Sequence, residues 1–140
     1  MKKVLIIDGQ GGRIGRQLAE LLMPYDGDKI ELTVVGTNAA ATANMLKSGV
    51  TRAATGENPI LVNARRADVI AGPVGIVIAD SLLGEITPAA ALAVGQSDAA
   101  KVLLPVNRCD NIVVGVRDVP LSALINEAAE EIINIINNEK

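Results

Sequence analysis

The sequence predicts an α/β three-layer sandwich: a mostly parallel sheet between two layers of helices, with one antiparallel strand at its edge. Three observations predict it. The chain opens on Lys3 to Asp8, a continuous apolar run ending in an acid, as in a strand buried on both faces. That run passes through a glycine cluster into Ile14, Leu18, Leu21 and Leu22, which recur along one face of a helix. Strand and helix signals then alternate, which calls for parallel strands joined by right-handed crossovers. The arrangement is Rossmann-like.

The remaining elements follow in order. Pro24 and Gly27 end the first helix, and Ile30 to Val35 reads as the second strand. Thr37 or Asn38 can cap a helix from Ala39 to Ser48, which Gly49 closes. Thr55 to Pro59 reads as a turn into a short helix, with Asn58 as its cap and Pro59 as its first residue. Asp68 to Ala71 is a third strand, followed by the punctuated turn Gly72-Pro73-Val74-Gly75. Ile76 to Leu83 fits helix and strand equally, because a short apolar run has no decisive period. Thr87-Pro88 starts a helix to about Gly95. Lys101 to Val106 and Ile112 to Val116 read as strands, and the connector Asn107 to Asn111 is short enough for a hairpin. Asp118-Val119-Pro120 opens a last helix through about Asn137.

Composition narrows the function. The 140 residues leave room for one domain, residues 1–140. Of these, 49% are hydrophobic, and Tyr25 is the single aromatic. A net charge of −3 and no basic cluster beyond Arg65-Arg66 argue against nucleic acid, which needs cations for phosphates and aromatics for stacking. No stretch approaches the ~20 apolar residues that cross a bilayer. The apolar run of Val4 to Ile7 is too short for a signal peptide, so the expected location is cytoplasmic with no membrane partner. Cys109 stands alone and there is no histidine, which argues against a disulfide framework, a zinc site or an activated thiol. No metal is expected.

The turn Asp8-Gly9-Gln10-Gly11-Gly12-Arg13-Ile14-Gly15 carries the chemistry. A sharp strand-to-helix turn with few Cβ atoms lets a backbone approach a phosphate, and the helix N-terminus offers N–H groups and positive partial charge. Arg13 can reach the same phosphate. The spacing departs from G-x-G-x-x-G, since Gln10 stands where the first glycine belongs. Gly9, Gly12 and Gly15 fit G-x-x-G-x-x-G and resemble the turn of extended short-chain dehydrogenases and epimerases. That resemblance covers residues 1–35 and lacks the Tyr-x-x-x-Lys catalytic pair. The ribose-binding acid of dinucleotide folds is also missing, because Gly36, Thr37 and Asn38 occupy the end of strand 2. Asp8 repels a phosphate unless a cation or hydrogen bond intervenes; alternatively it bonds a ligand hydroxyl or holds a metal. Thr55, Gly56, Glu57 and Asn58 offer a second anion contact on the same rim, and Gly72, Pro73, Val74 and Gly75 a close backbone approach. Asp80 and Glu85 lie just beyond as acids for proton work. The bland alternative is a tight connection with nothing bound.

Beyond the turn, the chain resembles an uncharacterised bacterial domain-of-unknown-function family, number three-eight-four-two. The resemblance rests on Asp8-Gly9-Gln10-Gly11-Gly12, Gly36-Thr37-Asn38-Ala39, Ala54-Thr55-Gly56-Glu57-Asn58, Gly72-Pro73-Val74-Gly75-Ile76, Gly84-Glu85-Ile86-Thr87-Pro88 and Leu104-Pro105-Val106-Asn107-Arg108-Cys109. Arg13 stands where such sequences continue with another glycine. The resemblance implies a Rossmann-like bacterial protein and assigns no catalytic residue.

Together these readings describe a module that binds a nucleotide or another phosphorylated small molecule. A single-domain oxidoreductase using NAD(P) is the alternative, and an oligomer with an empty turn is a third. A homodimer through the C-terminal helix is expected. Leu121, Ile125, Ala128 and Ile132 form one face that can cover the sheet, while Ile133 and Ile136 extend the apolar stripe past it toward a second copy.

Overall fold

The computed structural model describes residues 1–106 and 110–138. Five strands, β1 (Lys2–Asp8), β2 (Ile30–Gly36), β3 (Arg52–Thr55), β4 (Val69–Pro73) and β5 (Ala100–Leu104), form one sheet in the order β3-β2-β1-β4-β5. Every pairing is parallel. Helices α1 (Arg13–Leu22), α2 (Ala39–Leu46) and α5 (Leu121–Asn137) cover one face, and α3 (Glu57–Arg66) and α4 (Pro88–Gln96) the other. The strand order is that of the doubly wound nucleotide folds, whose ligands sit at the carboxyl ends of the strands where the order reverses.

The apolar run of β1 explains itself in this setting. Val4 and Ile6 pack with Leu18, Leu22, Met45 and Ile132. Leu5 and Ile7 point the other way, among Ile60, Ile70, Ile76 and Val94. A strand covered on both faces has no polar positions to alternate with.

Several sequence expectations need correction. No antiparallel edge strand is present among the described residues. Residues 111–113 are irregular and a turn follows at 114–115. Gly115 takes φ +88°, a left-handed conformation that interrupts a regular strand. Ile112 and Val114 are consequently 90% and 93% exposed. Asn107, Arg108 and Cys109, from the expected hairpin connector, lie outside the described residues. A strand absent from the sequence reading, β3, pairs on the far edge with β2 through Thr33↔Arg52 to Gly36↔Thr55. Its four residues are too few and too exposed to show a period. Helix α3 begins at Glu57 behind Gly56, so Asn58 lies in its first turn rather than at its cap.

Ile76 to Leu83 is neither helix nor strand throughout. A 3-10 turn at Val74–Val77 leads into an irregular strap. Asp80, Leu82, Leu83 and Gly84 all take left-handed backbone, with φ of 65°, 56°, 56° and 87°. Non-glycine residues hold that conformation only where their surroundings impose it. Here Leu82 is buried beside Ile86 and Ile7, and bonds from Asp80 N–H to Ile86 O (2.7 Å) and Ile86 N–H to Ser81 O (3.2 Å) close the loop on itself.

The final helix buries Ile125, Ala128, Ala129, Ile132 and Ile136 in its own core. Ile133 packs partly against the same cluster. Of the stripe expected to reach a second copy, Ile136 is buried and Ile133 half-buried within the chain, while Ile135, outside that stripe, is 37% exposed. Among the described residues, no helix is long and apolar enough to cross a membrane.

Candidate functional site

The turn between β1 and α1 is assembled around Asp8. This side chain is 2% exposed. Its Oδ1 accepts the N–H of Gly9 at 2.8 Å and its Oδ2 the N–H of Gly15 at 2.7 Å. Gly15 is the third residue of α1, so Asp8 satisfies from inside a donor that a helix start leaves free. Burial pushes the Asp8 carboxyl above its ordinary range; the bonds from Gly15 and Gly9 oppose this and the nearby Glu85 adds to it.

Three of the four glycines of the turn, Gly9, Gly12 and Gly15, are closely packed. Gly12 takes φ +72°, and a Cβ there would meet the backbone of Ala41 in α2, its Cα at 2.8 Å. A Cβ on Gly15 would lie 2.9 Å from Asp8 Cβ. Gly36 backs onto Thr42, and Gly72 onto the carbonyl of Ile7. Gly11 alone in the turn faces open space. The N–H groups of Gly11 and Arg13 have no partner among the described residues. They border a cavity of about 230 Å³ lined by residues 8–14 and Leu121.

The end of β2 forms the adjacent rim. Asn38 caps α2, its Oδ1 accepting from Ala41 N–H at 2.8 Å, and its Nδ2 donates to Gln10 O at 3.0 Å. Asn44 Nδ2 donates to Gly11 O at 3.0 Å, tying the turn to α2 a second time. The sequence showed no acid at this place, yet the strap brings one. Glu85 Oε1 accepts from Gln10 N–H at 2.8 Å, from Thr37 Oγ1 at 2.5 Å and from Asn38 Nδ2 at 3.1 Å. Partial burial alone would raise the Glu85 carboxyl, but these three bonds outweigh it and hold it below the ordinary range.

The other expected site residues fall into two groups. Thr55 Oγ1 lies 2.7 Å from Thr42 Oγ1, Gly56 N–H donates to Gly36 O at 2.9 Å, and Glu57 accepts from Thr87 Oγ1 at 2.5 Å. Asn58 is exposed. This group links the rim to the far end of the strap. Gly72, Pro73 and Gly75 are buried under it, Val74 half-buried, and Gly75 O accepts from Ser81 Oγ. They support the strap rather than line the cavity. Asp80 shares the strap with Glu85. No three His, Cys, Asp or Glu side chains among the described residues are grouped to hold a metal. A larger groove, about 340 Å³ between Lys3, Thr33, Arg52 and Arg66, lies apart from this rim, with Arg52 engaged by Glu31 at 2.8 Å.

A family model described as a domain of unknown function, DUF3842, matches residues 3–137. The chain belongs to this family. The DUF3842 match spans β1 through α5, so the turn, the end of β2 and the strap all lie within it. A solved structure described as an arsenate reductase in the phosphate binding state is similar at 21% identity and a TM-score of 0.49, with all of both chains covered. Comparison with curated proteins finds no match.

Proposed function

We propose that this chain binds a phosphorylated small molecule, a nucleotide among the candidates, on the rim formed by the Gly9–Gly15 turn and Thr37-Asn38. One observation carries the reading: the rim already holds an anionic oxygen, since Glu85 Oε1 sits on a backbone N–H, a hydroxyl and an amide. The unpartnered N–H groups of Gly11 and Arg13 extend the same donor surface at the start of α1, where the helix dipole favours an anion. The exposed Arg13 side chain stands beside them.

A thermal-shift screen of inorganic phosphate, sugar phosphates and nucleotides tests it. A ligand at a hundredfold excess over its Kd should add about 2.7 kcal/mol, or roughly 10 °C in Tm. Gly11→Val should keep the wild-type Tm without ligand, because a Cβ there meets nothing within 4 Å. It should lose the ligand shift by shielding the neighbouring N–H groups. A screen with no shift in the wild type ends the reading.

The oxidoreductase alternative gains one observation. Glu85 stands beside the end of β2, the place from which an acid holds the adenosine ribose in dinucleotide folds. Our expectation is that NAD shifts Tm no more than AMP, since no acid of β2 itself is there. A clearly larger NAD shift favours the dehydrogenase.

The homodimer reading now rests on Ile135 and the open side of Ile133. Light scattering at micromolar concentration should give a dimer mass that Ile135→Glu reduces to a monomer. A wild-type monomer rejects this contact.

A further inference from the structure

We propose that Glu85 is the site's own competitor: the strap over 78–87 lays its carboxylate on the donors a ligand needs, and binding displaces it. The inference rests on the ligand reading above.

The geometry supports displacement over accommodation. All three bonds converge on one oxygen, Glu85 Oε1, so the carboxylate saturates Gln10 N–H, Thr37 Oγ1 and Asn38 Nδ2 together. The same oxygen lies 2.7 Å from where a Cβ on Gly9 would stand, so it rests directly against the glycine turn. A ligand oxyanion using those donors would lie beside the Glu85 charge, near the buried Asp8 carboxyl that accepts from Gly9 N–H. Like charges at such range repel, and both stay only with a cation or a shared proton between them.

The strap is built to yield. Its tip, Leu83, is 93% exposed, with φ +56°, between Leu82 at +56° and Gly84 at +87°. Strained left-handed residues persist only while their surroundings hold them. Leu82 and Ile86 anchor the strap in the core on either side of Glu85. Glu85 itself is only half-buried, so its side chain can swing out while both anchors remain. At rest, Glu85 covers the donors of Gln10, Thr37 and Asn38.

Calorimetric titration of inorganic phosphate and of AMP into the wild type, Glu85→Gln and Glu85→Ala tests this. Glu85→Gln keeps the side-chain size and an acceptor without the charge, which guards against a variant that fails to fold. Both variants should bind at least tenfold more tightly than the wild type, with Glu85→Ala the tighter. In the wild type, the Gln10 amide resonance should move toward its Glu85→Ala position as Glu85 leaves, on top of any change the variant shows on binding. Equal affinities in all three proteins overturn the competitor while leaving the binding site standing. Weaker binding in the variants overturns it as well and makes Glu85 a ligand contact, as for a ribose diol. Absence of binding in every variant, Glu85→Ala included, overturns the ligand reading and the competitor with it.

Discussion

Gly12→Val is expected to cost about 4 kcal/mol or more and to lower Tm by more than about 10 °C. The residue sits at φ +72°, where a β-branched side chain is disfavoured by at least ~1–2 kcal/mol. The larger part is steric. A Cβ at this position runs into the Ala41 backbone, with its Cα at 2.8 Å. That backbone cannot retreat cheaply, because Asn38 caps the start of α2 and Asn44 ties its last turn to Gly11 O. Thermal melts followed by circular dichroism decide the matter, with Gly11→Val as the neighbour that should melt like the wild type. A Gly12→Val protein melting within a few degrees of the wild type would mean the turn is not packed on α2 as described.

The second large effect belongs to Asp8. Asp8→Ala leaves the N–H groups of Gly9 and Gly15 without their acceptor in a buried turn. Each unsatisfied donor costs about 1–3 kcal/mol, and removal of a desolvated carboxyl offsets part of this, for a net loss of about 3 kcal/mol. The pH dependence has a definite sign. The folded Asp8 carboxyl is raised above its ordinary value of 3.8 by burial, so its contribution is full below that value and is lost as pH rises through the folded one. The stability gap between wild type and Asp8→Ala should therefore widen from neutral pH toward pH 4. Glu85 works in the opposite sense. Its bonds outweigh burial and lower it, so its contribution is present above its ordinary value of 4.5 and is lost as pH falls through the lowered one. Urea unfolding of wild type, Asp8→Ala and Glu85→Gln at several pH values separates the two. A gap that narrows toward acid would contradict the burial of Asp8 as an ionisable group.

Asp8 was legible in the sequence as a complication beside a phosphate; its place inside the helix start was not. It satisfies Gly9 and Gly15 at once only because the turn folds back over it. The glycines were legible as a tight turn, and the reason for most of them was not. Gly12 makes room for Ala41, Gly15 for Asp8 and Met45, and Gly72 for Ile7 O, all contacts with other elements. Gly11 is the one whose openness leaves donors for a ligand.

The sequence by itself determined β1, the turn, α1, β2, a polar cap at Thr37 or Asn38 and the long final helix. Each of these is written in neighbouring residues: an unbroken apolar run, a glycine cluster, a helical period, an oxygen placed ahead of a helix start. Tertiary structure alone decided the rest. β3 is a strand because β2 offers an edge to pair with, not because Arg52 to Thr55 carry a pattern. Ile112 to Val116 carries a strand-like pattern, yet Gly115 turns the chain and, among the described residues, no strand pairs with it. Of the stripe assigned to a second copy, Ile136 went to the chain's own core and Ile133 partly so. Glu85 reached Gln10 across 75 residues of sequence. A period along the chain records which face is buried; it does not record which side chain arrives from elsewhere to meet it, and the chemistry of this rim depends on that arrival.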